Sequence, residues 1–284
     1  MNKILTSLTL LASLVLVQLP TSFDVGAASA EKSEKPKRKT RLMGPSVGKK
    51  VGKAFELYST DDIKGALALL LEINAKSDYD KAILARYIAV MYATLGDQEA
   101  KAIEYLKKAV APDILNESDH GEAIKLLADL QMQTKEYSGA LANYKAWMDF
   151  TGKSDGDTWV KIAQANYELK QLPKMITPAN NAIAAYGDKH NKNPYILKLT
   201  SYYETKKYKD AVKVLETAVQ LFPNEKAFWK QLGNFYLLIE DYDRGMATLD
   251  LAYKQGYLEK ESEIKTLASL YAQNNMPFKS AKLL

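Results

Sequence analysis

The sequence has 284 residues, of which 47% are hydrophobic and 10% aromatic, which is enough to bury a continuous core. It contains no cysteine, which excludes a disulfide framework, a thiolate metal site and a lipid anchor that needs an acylated cysteine. Its 39 basic and 34 acidic residues give a net charge of +5, and this excess comes from one short segment near the N-terminus.

Residues 1–30 have the pattern of a secretory signal peptide. Lys3 supplies the positive charge, the apolar run from Ile4 to Leu19 has 16 residues, and Ala28-Ser29-Ala30 forms a cleavage site of the A-x-A type. We therefore predict export, with cleavage near Ala30. The alternative is an uncleaved membrane anchor, although this apolar run is shorter than the about 20 residues that a membrane-spanning helix requires.

Residues 31–46 are predicted to form a basic, disordered arm. Residues 31–53 hold nine Lys or Arg against two Glu, a net charge of +7, whereas residues 54–284 have a net charge of −2. Such a segment is typical of a solvated linker. A more specific interpretation is attraction of the arm to an anionic surface such as lipid head groups. Membrane contact is therefore expected only transiently or through the arm. Because the remainder is weakly acidic, nucleic acid is not an expected partner.

From residue 47 onward, apolar residues recur at steps of three and four, which predicts a series of helices. One helix hairpin cannot bury both of its apolar faces alone, so neighbouring hairpins must stack. The predicted hairpins cover residues 47–80, 82–116, 121–154, 156–190, 192–225 and 226–259, with a partial one at 260–284.

The fourth predicted hairpin departs most from the others. Met175 occupies a position that is small elsewhere, and Pro178 lies late enough to remove a hydrogen bond from the second helix. We expect a kink or a delayed helix start there.

The fifth and sixth hairpins repeat each other at a spacing of 34 residues. Small residues such as Gly233 and Ala211 let two helices approach closely, while large ones such as Trp229 fill the space beside them. The equivalent pairs are Tyr195 and Trp229, Tyr202 and Tyr236, Tyr208 and Tyr242, Leu215 and Leu249, and Ala218 and Ala252.

Two motifs within this pair indicate a family. They are Trp229-x2-Leu232-Gly233-x2-Tyr236 in the second copy, and Ala211-x3-Leu215-x2-Ala218 followed by Pro223 in the first. In these motifs and in the period, the sequence resembles the tetratricopeptide repeat (TPR) family. The resemblance implies an all-α fold, an α-solenoid of antiparallel helix hairpins that coils into a right-handed superhelix.

No stretch of the sequence predicts a catalytic, cofactor or metal site. His120 and His190 each stand alone in polar segments between predicted hairpins, and we interpret both as surface residues. Asp155 and Asp241 precede helices, where an Asp side chain caps the N-terminus. The sequence has no glycine-rich phosphate loop and no Gly-x-Ser-x-Gly motif, so an enzyme is not predicted.

The TPR resemblance implies a concave groove, lined by the first helix of each hairpin, that binds a protein or peptide partner. Lys230 with Asn234 also resembles the first half of a clamp that holds a C-terminal carboxylate in some family members, but the second half is incomplete. Transferred position by position, the groove residues are Gln164, Tyr167 and Glu168, then Ile196, Thr200 and Tyr203, then Lys230, Asn234 and Leu237.

The order of features resembles the periplasmic TPR proteins that accompany TonB, ExbB and ExbD in Gram-negative bacteria. The signal, the basic arm and the entry segment 41–48 carry this resemblance. It implies a periplasmic interaction scaffold that assists TonB-dependent uptake. Two alternatives are a cell-envelope assembly factor that binds peptidoglycan-synthesis or outer-membrane machinery, and the targeting module of an enzyme continuing past Leu284. The sequence stops partway through a predicted helix, which favours a truncated repeat array over a final face covered by a partner.

Overall fold

The computed structural model describes residues 38–284, so the predicted signal peptide and the first part of the arm, 31–37, lie outside the described residues. Residues 38–284 contain helices and no β-strand. The helices are α1 (Pro45–Ser59), α2 (Ile63–Leu71), α3 (Asp78–Leu95), α4 (Glu99–Val110), α5 (Glu117–Gln133), α6 (Tyr137–Thr151), α7 (Gly156–Glu168), α8 (Ile176–Tyr186), α9 (Asn193–Glu204), α10 (Tyr208–Leu221), α11 (Lys226–Leu238), α12 (Tyr242–Lys254), α13 (Glu261–Gln273) and α14 (Pro277–Leu283).

These helices divide into two compact units, one ending at Ser154 and one beginning at Asp155. The first unit contains three antiparallel hairpins, α1–α2, α3–α4 and α5–α6, and one apolar core joins residues of α1 to α5. Small residues such as Ala66, Ala89 and Ala102 are fully buried where helices meet. Within residues 38–284, no helix is both long enough and apolar enough to cross a lipid bilayer.

The second unit contains four hairpins, α7–α8, α9–α10, α11–α12 and α13–α14. Gly233 of α11 and Gly245 of α12 mark a close approach of two helices. A Cβ atom on Gly233 would lie 2.6 Å from the Leu249 side chain, and one on Gly245 would lie 2.6 Å from the Leu237 side chain. The close packing predicted for Gly233 is therefore confirmed.

The hairpin turns in residues 38–284 share one feature of backbone conformation. In each, three residues separate the first helix from the next helix or 3-10 turn, and the middle one has a positive φ, between 51° and 66°. The left-handed conformation costs a residue other than glycine about 1–2 kcal/mol. The packing of the paired helices must therefore stabilise each turn. The middle residues are Asp61, Asp97, Lys135, Lys170, Lys206, Glu240 and Asn275.

The fourth hairpin has the delayed helix start that its prolines predict. Residues Leu172–Met175 form a 3-10 turn, and α8 begins only at Ile176. Pro178 therefore lies in the first turn of α8, where a backbone N–H has no partner within the helix and its loss costs little. Met175, at the position that is small in other repeats, is fully buried.

Two first helices begin earlier than the apolar pattern predicts. The hairpins predicted to start at residues 82 and 121 start at Asp78 and Glu117 instead. The first turns of these helices carry acidic residues, which are polar in sequence but stabilise a helix N-terminus. The early start of α5 also places His120 inside a helix.

The C-terminal part of the basic arm differs from the disordered segment that we predicted. Residues 38–44 have no regular secondary structure, but they hydrogen-bond to the first unit through Arg38, Arg41 and Gly44. The charge and proline content of the arm predicted disorder, and that argument took no account of hydrogen-bonding partners elsewhere in the chain. This hydrogen-bonded segment ends where α1 begins, at Pro45.

Candidate functional site

The first helices of three hairpins in the second unit expose side chains at equivalent positions. Gln164 of α7, Thr200 of α9 and Asn234 of α11 correspond to one another, and each is fully or partly exposed. One helical turn later, Glu168, Glu204 and Leu238 are exposed as well. We call these six residues the groove face. It contains four of the predicted groove residues.

Sequence reasoning missed two members of the groove face. Glu204 and Leu238 follow Thr200 and Asn234 by four residues, so they lie on the same side of their helices. Leu238 is 40% exposed. The i+4 spacing was a signal that would have identified both.

Three further predicted groove residues pack partly against neighbouring helices, and one of them, Tyr203, is also 39% exposed. Tyr167, Tyr203 and Leu237 occupy equivalent positions. The Tyr203 ring packs edge-on against Phe235 of the next hairpin, with 5.9 Å between ring centroids. Leu237 fills the space opposite Gly245. Tyr167 packs against the apolar cluster of α7 and α8. All three side chains therefore contact neighbouring helices, and their contact with a partner stays a prediction.

The remaining two predicted residues, Ile196 and Lys230, also contact the chain itself. Ile196 is partly buried against the core of α9, α10 and α11. The Lys230 Nζ atom lies 3.0 Å from Glu263 Oε1, and both side chains are less than a quarter exposed. Burial opposes ionisation of Glu263, but hydrogen bonds from the Lys260 N–H, Lys230 and the Glu259 N–H hold its pKa below the usual value. Lys230 thus already binds a carboxylate of its own chain.

This pairing bears on the predicted carboxylate clamp. A clamp needs a lysine that is open to a partner, and in this structure Glu263 of α13 holds Lys230. Asn234 remains partly exposed on the groove face. The groove face is therefore suited to polar contacts from Gln164, Thr200 and Asn234, flanked by two carboxylates and one apolar side chain.

Comparison with known proteins identifies the architecture. No sequence-family profile matches the chain, and no curated protein matches it. Its structure is similar to a tetratricopeptide repeat protein from Parabacteroides merdae, with a TM-score of 0.50, 11% identity, and coverage of 84% of this chain and 91% of that chain. It is also similar to the C-terminal part of a TPR repeat-containing protein from Cytophaga hutchinsonii, with a TM-score of 0.56, 17% identity, and coverage of 82% and 92%.

The fold is that of the TPR proteins. A chain in the structure of Naa15/Naa10 bound to HypK is a third similar example, with a TM-score of 0.58, 17% identity, and coverage of 80% of this chain and 34% of that chain. At sequence identities this low, the similarity shows the fold alone. The predicted all-α fold class, built from antiparallel helix hairpins, is confirmed.

In this TPR fold, several tyrosines have perturbed pKa values for structural reasons. Burial together with a hydrogen bond to Glu216 raises the pKa of Tyr236 to about 12. Arg244 lies over the Tyr236 ring and pairs with the same Glu216 carboxylate at 2.9 Å. Tyr271 of the next hairpin has the equivalent contact with Asp250, and its pKa is also raised. These pairs join one TPR hairpin to the next and lie off the groove face.

The two Asp residues predicted to cap TPR helices do so. The Asp155 side chain accepts a hydrogen bond from the Thr158 N–H at 2.7 Å, at the start of α7. The Asp241 side chain accepts one from the Arg244 N–H at 3.3 Å, at the start of α12. The capping prediction is confirmed for both.

His120 is buried, and the prediction that it is a surface residue is wrong. It lies in the first turn of α5, where it is 5% exposed, and its ring packs on Phe150 with 4.7 Å between centroids. Its Nε2 atom is 3.1 Å from the Asp113 carboxylate. Burial, and next the nearby Arg38 guanidinium, lower the pKa of His120. His190, by contrast, is exposed as predicted.

One open cleft of the second unit lies away from the groove face. It has a volume of about 800 Å³ and is lined by the start of α10 and by the α11–α12 turn, including Lys209, Lys213 and Asp243. Side chains of both charges line it, and Arg244 is already paired there with Glu216 and Asp241. We do not assign it a ligand.

Proposed function

We propose that this chain is an exported, periplasmic TPR scaffold that holds a protein or peptide partner against the groove face of its second unit. The observation that carries the proposal is the groove face itself. Six side chains lie at equivalent positions on three successive first helices, and all six are exposed or partly exposed. A polar face with one exposed leucine suits an adaptable protein contact rather than a small-molecule pocket.

The narrower part of the proposal concerns the system that the scaffold serves. The signal-like segment 1–30 supports export, and the order of signal, basic arm and repeats resembles periplasmic TPR proteins that accompany TonB, ExbB and ExbD. A chain of similar fold occurs in a multi-protein complex, that of Naa15/Naa10 bound to HypK. We therefore infer an accessory role in TonB-dependent uptake.

Localisation is tested first. The full chain, and a variant without residues 1–30, are expressed in a Gram-negative host and fractionated. We expect the full chain in the periplasm, shortened by about the length of the signal as measured by mass spectrometry. Recovery of the full chain in the cytoplasm, or uncleaved in the inner membrane, would contradict the proposed export.

Association is tested by crosslinking intact cell envelopes and purifying the tagged chain. We expect TonB, ExbB or ExbD among the covalently attached proteins, and loss of that product when Thr200 and Asn234 are both replaced by Arg. Peptidoglycan-synthesis or outer-membrane assembly proteins in their place would support the envelope-assembly alternative. Absence of every TonB-system protein would exclude the narrower proposal.

A further inference from the structure

The segment that connects the arm to α1 is bound to the first unit as a peptide ligand would be. Residues 38–44 form hydrogen bonds at three points, through the Arg38 side chain, the Arg41 main chain and the Gly44 N–H, and Met43 packs on the apolar core. Their partners lie in the α4–α5 loop and at the N-terminal ends of α3 and α5. The side chain of Leu42 between these points is 87% exposed, so it is not recognised.

The Arg38 guanidinium fills a built site. Its Nη1 atom donates to the carbonyl oxygens of Asp113 and Leu115, at 3.0 Å each, and Nη2 donates to the Asp113 carboxylate. Its Cζ atom lies 4.6 Å from the centroid of the Phe150 ring. A planar group with several N–H donors satisfies all four contacts at once, which a lysine ammonium does not. The site therefore selects arginine.

The residues that surround the guanidinium are held in place at a cost. Asp113 has a φ of +51°, an uncommon conformation for a residue other than glycine, and its carbonyl oxygen accepts a hydrogen bond from Arg38. The Nε2 atom of the buried His120 lies 3.1 Å from the Asp113 carboxylate. The His120 ring packs on Phe150, the aromatic residue that also contacts Arg38. His120 Nδ1 has no hydrogen-bond partner among the described residues. A buried nitrogen without a partner is uncommon in a native structure, and this one lies beside the arginine contacts.

Three residues after Arg38, the site recognises the backbone. Asn116 accepts from the Arg41 N–H at 2.8 Å and donates to the Arg41 carbonyl at 3.1 Å. The Tyr79 hydroxyl accepts from the same Asn116 amide at 2.8 Å and fixes its orientation. The Gly44 N–H donates to Asp80 at 3.0 Å. These contacts bind an extended main chain and do not involve the side chain of residue 41.

We propose that Asp113, Leu115, Asn116 and Phe150 form an arginine-anchored peptide site that the chain fills with its own residues 38–44. The ligand class is an extended peptide with an arginine and, three residues later, a free backbone N–H and C=O. While the arm is docked, the site is closed to other molecules; release of the arm opens it. This site belongs to the first unit and does not depend on the groove face of the second.

The direct test uses the full chain and a fluorescent peptide with the sequence of residues 35–45. A variant with Arg38→Ala and Arg41→Pro loses the guanidinium and the backbone donor, so its arm is released. We expect this variant to bind the peptide at least ten times more tightly than the wild type, by fluorescence anisotropy. The Lys39→Ala variant removes one positive charge without touching the site, and should behave as the wild type.

The peptide itself supplies the control for charge. A peptide with Arg38→Ala should lose at least ten-fold in affinity for the released variant, whereas one with Lys39→Ala should bind nearly unchanged. Equal binding of both peptides would mean that only their positive charge matters, and would overturn the proposal. Equal binding of the parent peptide to wild type and released variant, or binding to neither, would overturn it as well.

A second measurement does not rely on the released variant. Asp113→Gly removes the carboxylate and relieves the positive φ, so the unit is expected to remain folded. Trypsin should then cleave the Arg41–Leu42 bond at least ten times faster than in the wild type. The cleavage rate is measured by mass spectrometry. Asp97→Gly makes the same change at the same φ of 51° in another turn and should leave that rate unchanged. Equal rates for both variants would contradict the proposed site.

Discussion

His120 shows how far one residue can depart from its sequence context. The segment around it, Glu117–His120, is polar and suggests a surface loop, yet its imidazole lies in the core of the first unit. The acidic residues beside it begin a helix rather than a loop, which turns His120 inward. A histidine in this position affects stability through its protonation.

We predict that the first unit loses stability in mild acid because of His120. Burial and Arg38 lower its pKa below the ordinary value of 6.5, while Asp113 partly opposes the shift. The folded chain therefore binds fewer protons than the unfolded chain as the pH falls through 6.5 toward the folded pKa, and stability drops over that window. One proton accounts for at most about 1.4 kcal/mol per pH unit.

The measurement compares urea unfolding at pH 7.5 and pH 5.5 for the wild type and His120→Gln. The glutamine amide can keep the hydrogen bond to Asp113 but does not titrate. We expect the wild type to lose more stability on acidification than the variant. An identical pH dependence of the two chains would show that His120 is not the titrating group.

Gly233 gives a second prediction at the scale of one residue. An alanine Cβ there would lie 2.6 Å from the buried Leu249 side chain and 3.5 Å from the Gly245 carbonyl oxygen, so neighbouring atoms must shift. We expect Gly233→Ala to lower the free energy of unfolding by about 1–3 kcal/mol, despite the higher helix propensity of alanine.

Gly52 is the matched control, because it is also helical but a Cβ atom added there would meet no other atom within 4 Å. Gly52→Ala should raise the free energy of unfolding by about 0.5–1 kcal/mol. Both effects are read from denaturant unfolding curves. A Gly233→Ala chain as stable as the wild type would contradict the close approach of α11 and α12.

At the scale of the helix, the sequence predicts packing better than it predicts helix ends. The fifth and sixth hairpins were recognisable because Gly233, Leu249 and Ala211 occupy positions where packing allows few alternatives. The starts of α3 and α5 were missed because acidic first turns do not show in an apolar pattern. The sequence pattern did not show the turns either, since the middle residue of each is Asp, Lys, Glu or Asn rather than glycine.

The groove face was predicted only in part for a similar physical reason. Each first helix packs against its own second helix and against neighbouring hairpins, so only a narrow strip remains exposed. The position of Tyr203 and Leu237 lies at the edge of that strip, where the local helix packing decides whether a side chain is exposed. A helical period read from one sequence does not contain that packing geometry.

Within α11, adjacent aromatic residues should differ in their contributions to stability. Phe228 is fully buried, whereas Trp229, the residue that the repeat motif singles out, is only partly buried and donates to the Pro223 carbonyl at 2.8 Å. Phe228→Ala should cost about 3–5 kcal/mol, as expected for a buried aromatic side chain.

Trp229→Ala should cost less than Phe228→Ala, because part of the indole already contacts solvent. Trp229→Phe isolates the lost hydrogen bond and should cost about 1 kcal/mol. All three variants are compared by denaturant unfolding followed by circular dichroism. A larger loss for Trp229→Ala than for Phe228→Ala would mean that the indole is the main anchor of the hairpin.

At the scale of the whole molecule, the residues that pack the hairpins differ from those of the two proposed binding sites. The repeated small and aromatic positions hold the hairpins together, and they are what makes the TPR fold recognisable. They repeat because every hairpin needs them, so they carry little information about a partner. The groove face of the second unit and the arginine site of the first are built from residues outside that repeated set.

The central claim, that the groove face binds a protein partner, is tested most directly by site-specific photo-crosslinking in cells. A photo-reactive amino acid replaces Thr200, Asn234 or, as a control, Gln220, which is exposed on the second helix α10. We predict that positions 200 and 234 attach to the same protein and that position 220 does not. No product from positions 200 and 234, or the same product from position 220, would contradict the account.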